Sequence, residues 1–347
     1  MREVLALLLM ISLVASLSGC TTPVEEGTIK IKDAVGREVE IPSKVERIVS
    51  LSPDATRILV ALGEEEKIVG VESYAKRCPV LNKVYPEIKN VSDVGNPWQG
   101  TLSLEKIAEL QPDVVFVYGT LTEVADKIQN DLGIPTVCTY RTVRDLDDFL
   151  ETVRLVGKVV KKEEKAEDIV NYISMWFEEL ENKTSSAQEK PKVLVVAPPF
   201  SKDPLRVMFG EHPFTLRYAG GINVASSIES SGYGPWATVS FEQVALWNPD
   251  VIFIHGMSLL TPEDLKNSAE WREIEAVKEG KVYKVFIGYV GYDPALLVVQ
   301  TMHMAKALHP ELFNWDFEEK ANEVFEVIYG VDGVYTQLQE EFGLSKV

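Results

Sequence analysis

The side chains best placed to do chemistry in this chain are aromatic. Tyr74, Trp98, Tyr118, Phe200, Trp236, His255 and Tyr289 each lie at or just beyond the end of an apolar run, several of them in segments carrying Gly or Pro, such as Pro97-Trp98, Pro198-Pro199-Phe200 and Gly234-Pro235-Trp236. Core packing explains a ring inside a strand or helix more readily than a ring in such a segment. Each ring can bury about 150–250 Å² of a partner at small entropic cost, so the chemistry implied is capture of a flat or bulky apolar ligand. Bond-breaking machinery is missing from the sequence. There is no Gly-x-Ser-x-Gly elbow, no phosphate-binding loop and no His-Glu-x-x-His pair, so no enzymatic activity is expected. With only four histidines, His212, His255, His303 and His309, neither a metal site built from several imidazoles nor a resident cofactor is expected. The charge, 35 Lys and Arg against 53 Asp and Glu, gives −18 over 347 residues. Such a surface repels phosphate backbones, and nucleic acid is not expected as a partner.

The elements that must position these rings show in the apolar runs. Arg47–Leu51, Ile68–Val71, Val114–Val117, Pro135–Cys138, Val193–Ala197, Val251–Ile254 and Val282–Phe286 are short and rich in β-branched residues, and helical patterns separate most of them. Runs of this kind read as strands buried on both faces of a parallel sheet. An internal repeat divides them into two sets. Thr101–Gly119 and Thr238–Gly256 agree at nine of nineteen positions, and a Pro-Trp pair precedes each copy. A match of that length implies two lobes of similar build. In each copy a Ser, Ser103 or Ser240, is placed to cap a short helix, with Glu105 or Glu242 in its first turn, where negative charge suits the helix dipole. Pro-Asp then ends the helix and leads into a strand.

Between the two sets, Ile169, Tyr172, Ile173, Trp176 and Leu180 recur at helical spacing within Glu163–Lys183. At 1.5 Å per residue that helix spans about 32 Å, enough to cross from one lobe to the other. A single rigid connector of this kind limits hinge opening. The expected fold is therefore α/β: two Rossmann-like lobes with mainly parallel sheets, joined by one long α-helix. The ligand cleft then lies between the lobes at the carboxyl ends of the strands. Residues 28–150 form the first lobe, 151–188 the connecting helical segment and 189–347 the second lobe.

The amino terminus sets the compartment. Arg2 followed by the apolar stretch Val4–Leu17 fits a secretory signal, too short at about 14 residues for a membrane span. Leu17-Ser18-Gly19-Cys20 resembles a lipobox, with residues 1–19 removed and Cys20 lipidated. Residues 20–27 read as a tether. The remaining thiols, Cys78 and Cys138, are allowed to pair outside the cytoplasm. No distance follows from sequence, and two separate thiols are favoured.

The signal, the opening Ile31–Pro42, the run Ile48–Pro53 and the bridging helix resemble those of the helix-backbone (class III) periplasmic binding proteins. These capture cobalamin, ferric siderophores or haem for ABC importers. The resemblance covers essentially the whole mature chain. Gly70–Tyr74, Trp98-Gln99-Gly100, Pro198-Pro199-Phe200 and Pro235–Glu242 look most like the family's cobalamin binders. That likeness implies that Tyr74, Trp98, Phe200 and Trp236 surround a corrin. It also implies that Glu105 and Glu242 dock on a permease that works with an ATPase. From their places at strand ends Tyr118, His255 and Tyr289 are also expected to line the cleft, although His255 has no counterpart in the pattern and capping its strand is the favoured reading. The segment from Trp98 to Glu105 is one residue longer than the pattern, which puts the setting of Trp98 in question. A siderophore would call on Arg77, Arg141, Arg206 or Arg217, and haem on Tyr74, Tyr118, His212 or His255 as axial ligand. The resemblance implies a monomer, lipid-anchored on the outer face of the cytoplasmic membrane.

Overall fold

A computed structural model describes residues 27–140, 145–196, 205–210, 214–228 and 236–347. The chain opens with an antiparallel hairpin, β1 (Thr28–Lys32) and β2 (Glu38–Pro42), and then enters two sheets. The first contains β3 (Ile48–Leu51), β4 (Ile68–Val71), β5 (Ser92–Asp93), β6 (Val114–Val117) and β7 (Thr136–Cys138), all parallel, in the order β5-β4-β3-β6-β7. The second is built around β8 (Lys192–Val196). β10 (Ile222–Asn223) and β12 (Val251–His255) run parallel to it, and β13 (Val282–Val285) runs parallel to β12. An antiparallel pair, β9 (Arg206–Met208) and β11 (Trp236–Thr238), closes its edge.

The buried runs of the sequence are the strands of these sheets, because parallel strands covered by helices on both faces lose both sides to solvent. β3, β6 and β12 are buried at every residue. The short strands β5, β9, β10 and β11, two or three residues long, carry too little periodicity to be read in advance.

The repeat is reproduced in atomic detail. Ser103 Oγ accepts from Lys106 N–H, and Ser240 Oγ accepts from Gln243 N–H, capping helices Leu104–Leu110 and Phe241–Trp247. Both helices end on a left-handed residue, Gln111 and Asn248. Asp113 then accepts from the backbone N–H groups of Glu46 and Arg47, and Asp250 from that of Lys192. Arg47 and Lys192 return the contact by donating to the last carbonyls of the two helices. The Pro-Asp motif thus ties each short helix to the first strand of its lobe.

The bridging helix runs Glu163–Ser185. It packs on helix Leu146–Val160, which crosses the expected lobe boundary at 150, and on helix Pro294–Leu308. One continuous core joins first-lobe residues such as Ile48 and Phe116 to Ile173, Phe177 and Leu180 of the bridge and to Val193, Phe253 and Met302 of the second lobe. A smaller core lies apart in each lobe, around Val115 and Ile128 in the first and around Leu194 and Ile252 in the second. The long helix that joins the lobes is therefore embedded in a central core that both lobes share. Among the described residues no helix is long and apolar enough to cross a membrane.

Candidate ligand-binding site

The cleft rings of the first lobe are held by buried polar residues two positions upstream. Glu72, fully buried, accepts from the N–H groups of Tyr74 and Ala75, which fixes the turn that follows β4. Burial pushes its carboxyl up to about 7, although those two donors and Arg57 pull it back. Asn96, also fully buried, accepts from Trp98 N–H at 2.9 Å and Gln99 N–H at 3.1 Å. Its amide donates to Ser73 Oγ, so the two turns brace each other. Gly100 at φ +67 lets the chain leave the Trp98 turn. Nothing in the hydrophobic pattern marks Glu72 or Asn96. For Asn96 the signal is local, a short polar side chain opening a tight turn.

Four of the sequence-predicted rings form one cluster. Tyr74 lies 6.1 Å from Trp98 and meets Tyr289 of the second lobe edge-on at 6.4 Å. Trp98 meets Tyr118 edge-on at 5.5 Å. Gln99 Nε2 donates to the Tyr74 hydroxyl, and the Arg77 guanidinium sits 5.2 Å over the Tyr74 ring. Trp98 remains 39% exposed, a large apolar surface open to a partner. Trp236 and His255 form a second group on the second lobe, with ring centroids 6.1 Å apart. The Gly-Pro segment that carries Trp236 reads as a loop, but Trp236 itself opens β11, is half-buried and pairs with Met208. Phe200, His212, Arg141 and Cys20 lie outside the described residues.

Tyr118 and His255 have their polar atoms already committed. Tyr118 donates to Asp54 Oδ2 at 2.9 Å and lies 2.9 Å from the Tyr140 hydroxyl. Burial and the Asp54 carboxylate drive its phenol well above the ordinary range. His255 Nδ1 accepts from Met257 N–H at 3.1 Å, which leaves the ring proton on Nε2. Burial lowers this imidazole to about 4, so at neutral pH it is an uncharged donor. Cys78 and Cys138 are both buried free thiols, and no disulfide joins them. Cys138 Sγ accepts from Arg37 instead. In such surroundings each thiol is inert packing, and burial raises the pKa of both.

One group in the cleft floor was not anticipated from sequence. Asp54 and Arg57, on helix Pro53–Ala61 behind β3, are fully buried and 3.4 Å apart. Arg57 Nη1 and Nη2 donate to Tyr289 O at 3.0 Å, and Nη2 donates to Val290 O. Asp54 Oδ1 accepts from Tyr292 N–H at 2.9 Å. A first-lobe ion pair thus grips a second-lobe loop. Read in sequence, an Asp and an Arg at i, i+3 in an apolar helix resemble an ordinary surface pair, because only the tertiary fold buries them.

The Periplasmic binding protein family model matches residues 48–285. The chain belongs to that family. It is 27% identical over 319 residues to the uncharacterized ABC transporter substrate-binding lipoprotein YvrC of Bacillus subtilis, covering 86% of this chain and 94% of YvrC. It is 25% identical over 328 residues to the molybdate-binding protein MolA of Haemophilus influenzae, covering 86% of this chain and 90% of MolA. The structure of molybdate-bound MolA superposes with a TM-score of 0.74, covering 88% of this chain and 98% of that one. The vitamin B12-binding protein of Pectobacterium atrosepticum is 30% identical over 224 residues, 61% of this chain and 72% of that protein. The chain is thus an extracytoplasmic substrate-binding protein of the class III fold, serving an ABC transporter and its permease and ATPase, and is not an enzyme. MolA and the Pectobacterium protein are named for different ligands, molybdate and vitamin B12.

Proposed function

We propose that this protein captures cobalamin or a related corrinoid, is tethered as a monomer through lipidated Cys20, and docks on the permease through Glu105 and Glu242. The observation that carries the ligand is the cluster Tyr74–Trp98–Tyr118–Tyr289 at the carboxyl ends of the strands, with Trp98 exposed and Trp236 on the facing lobe. Rings in this arrangement suit the apolar faces and edges of a macrocycle more than an oxyanion. The neighbouring polar atoms argue in the same direction. Two of the four candidate axial ligands for haem are committed elsewhere: the Tyr118 proton is held by Asp54, and with the proton on Nε2 His255 offers no lone pair there, which leaves Tyr74 as the haem candidate among the described residues. A catecholate siderophore would need converging cations. Arg77 lies over Tyr74, but Arg57 is consumed by backbone carbonyls and Arg217 is stacked on Tyr218.

The test is a titration of the purified mature protein with cyanocobalamin, cobinamide, haemin, ferric siderophores and molybdate, followed by absorbance and Trp fluorescence. Saturable corrinoid binding is expected, weakened by about 1–3 kcal/mol in Trp236→Ala, as for large rings at interfaces. Tight binding of haemin, a siderophore or molybdate with no corrinoid response would replace the ligand assignment.

A further inference from the structure

The buried ion pair and the aromatic surface are two parts of one closed circuit of contacts. Arg57 donates to the carbonyls of Tyr289 and Val290. The Tyr289 ring stands edge-on to Tyr74, Tyr74 lies against Trp98, and Trp98 meets Tyr118. Tyr118 donates back to Asp54, and Asp54 is paired with Arg57. Every link except the Asp54–Arg57 pair, which lies within one helix, joins two different elements. The loop it grips is committed to this conformation. Val290 is a β-branched residue at φ +39, and Gly291 sits at φ +86, where a Cβ would come within 1.8 Å of Asp54 Oδ1. A conformation that sparsely populated persists only when its surroundings over-determine it.

We infer that Asp54 and Arg57 are positioning residues for ligand recognition: by gripping residues 289–292 they set the gap between the lobes and hold Tyr289 at the spacing from Tyr74 that the ligand meets. This rests on the aromatic cleft being the ligand site. The physical reason is preorganisation. A buried guanidinium stripped of its carbonyl partners is costly, so the loop cannot drift, and rings already in place lose little entropy on binding. Neither residue needs to touch the ligand.

Arg57→Lys keeps the charge but loses the planar fork, and Gly291→Ala leaves both charged side chains in place but drives a Cβ against Asp54 Oδ1, which displaces the loop from the pair. Both are compared with Ile128→Ala, a core variant in the first lobe's separate cluster. Hydrogen–deuterium exchange of the unliganded proteins reads the circuit directly. In Arg57→Lys and Gly291→Ala, exchange should rise at residues 288–293 and also across the cleft at residues 72–78 and 96–100. In Ile128→Ala those segments should keep wild-type exchange. Cyanocobalamin affinity should fall about tenfold in the first two, the scale of one lost charge-assisted hydrogen bond. Exchange confined to residues 288–293 with affinity unchanged would overturn the inference, and so would the same response from Ile128→Ala. If wild type ignores corrinoids while exchange still spreads across the cleft, the ligand assignment fails and the positioning role stands.

Discussion

At the residue scale, the cleft is governed by acids that burial holds near neutrality. Asp54 is raised from the ordinary carboxylate range to about 7, chiefly by burial, against the opposing pull of Arg57, Tyr118 and the Tyr292 N–H. The folded protein therefore holds this proton more tightly than the unfolded chain. The contribution of Asp54 to stability is then fully present below about pH 4 and is lost as pH rises towards about 7. Asn at this position mimics the neutral acid at every pH. The melting-temperature advantage of wild type over Asp54→Asn should consequently shrink between pH 4.5 and 7.5 and level off above that. Differential scanning calorimetry of both proteins across the window measures it. A gap that is flat or widens with pH would mean that Arg57 and the two donors outweigh burial and keep the carboxylate ionised throughout. His255 and His303, lowered to about 4 and about 3 by burial, favour the folded state as pH rises through the ordinary histidine range. Their effect is common to both proteins and cancels in the difference.

At the element scale, the duplicated helix start unites structure and docking. Ser103 and Ser240 each satisfy a free N–H at a helix N-terminus, and replacing either by Ala should cost about 1 kcal/mol of stability, measurable by urea denaturation. Glu105 and Glu242 are exposed, and each carboxylate is held below the usual range, first by hydrogen bonding to its own backbone N–H and then by the adjacent Ser. They are ionised and presented at equivalent points of the two lobes. Reversing both to Lys should abolish transport by the reconstituted importer while leaving ligand affinity at wild-type level. Lost affinity with normal permease association would show that they serve the cleft instead. This scale was also the most legible in the sequence. The repeat, both Ser caps, the buried strands and the bridging helix all follow from local patterns that survive into the fold. Trp236 did not, because a three-residue edge strand has no period to read. Asp54 and Arg57 did not, because their burial depends on a loop more than 230 residues away in sequence.

At the scale of the whole molecule, the shared core decides how the two lobes move and melt. Two lobes that met only through a modest interface would move relative to one another by default, and the single bridging helix already limits that motion. Here one core runs from β3 and β6 through the bridging helix to β8, β12 and helix Pro294–Leu308, and the Asp54–Arg57 grip spans the same boundary. Lys83 adds a tie to Glu341. Opening the cleft by a wide hinge would have to expose part of that core or strip a buried guanidinium, and both cost more than a ligand's preference for one state ordinarily supplies. Two consequences follow. Heat should unfold the mature protein in one cooperative step, with calorimetric and van't Hoff enthalpies in agreement. The radius of gyration from small-angle scattering should also stay unchanged when ligand saturates the cleft. Two resolved transitions, or a clear contraction on binding, would show that the lobes behave as separate bodies. Recognition would then depend on closure rather than on a surface already in place.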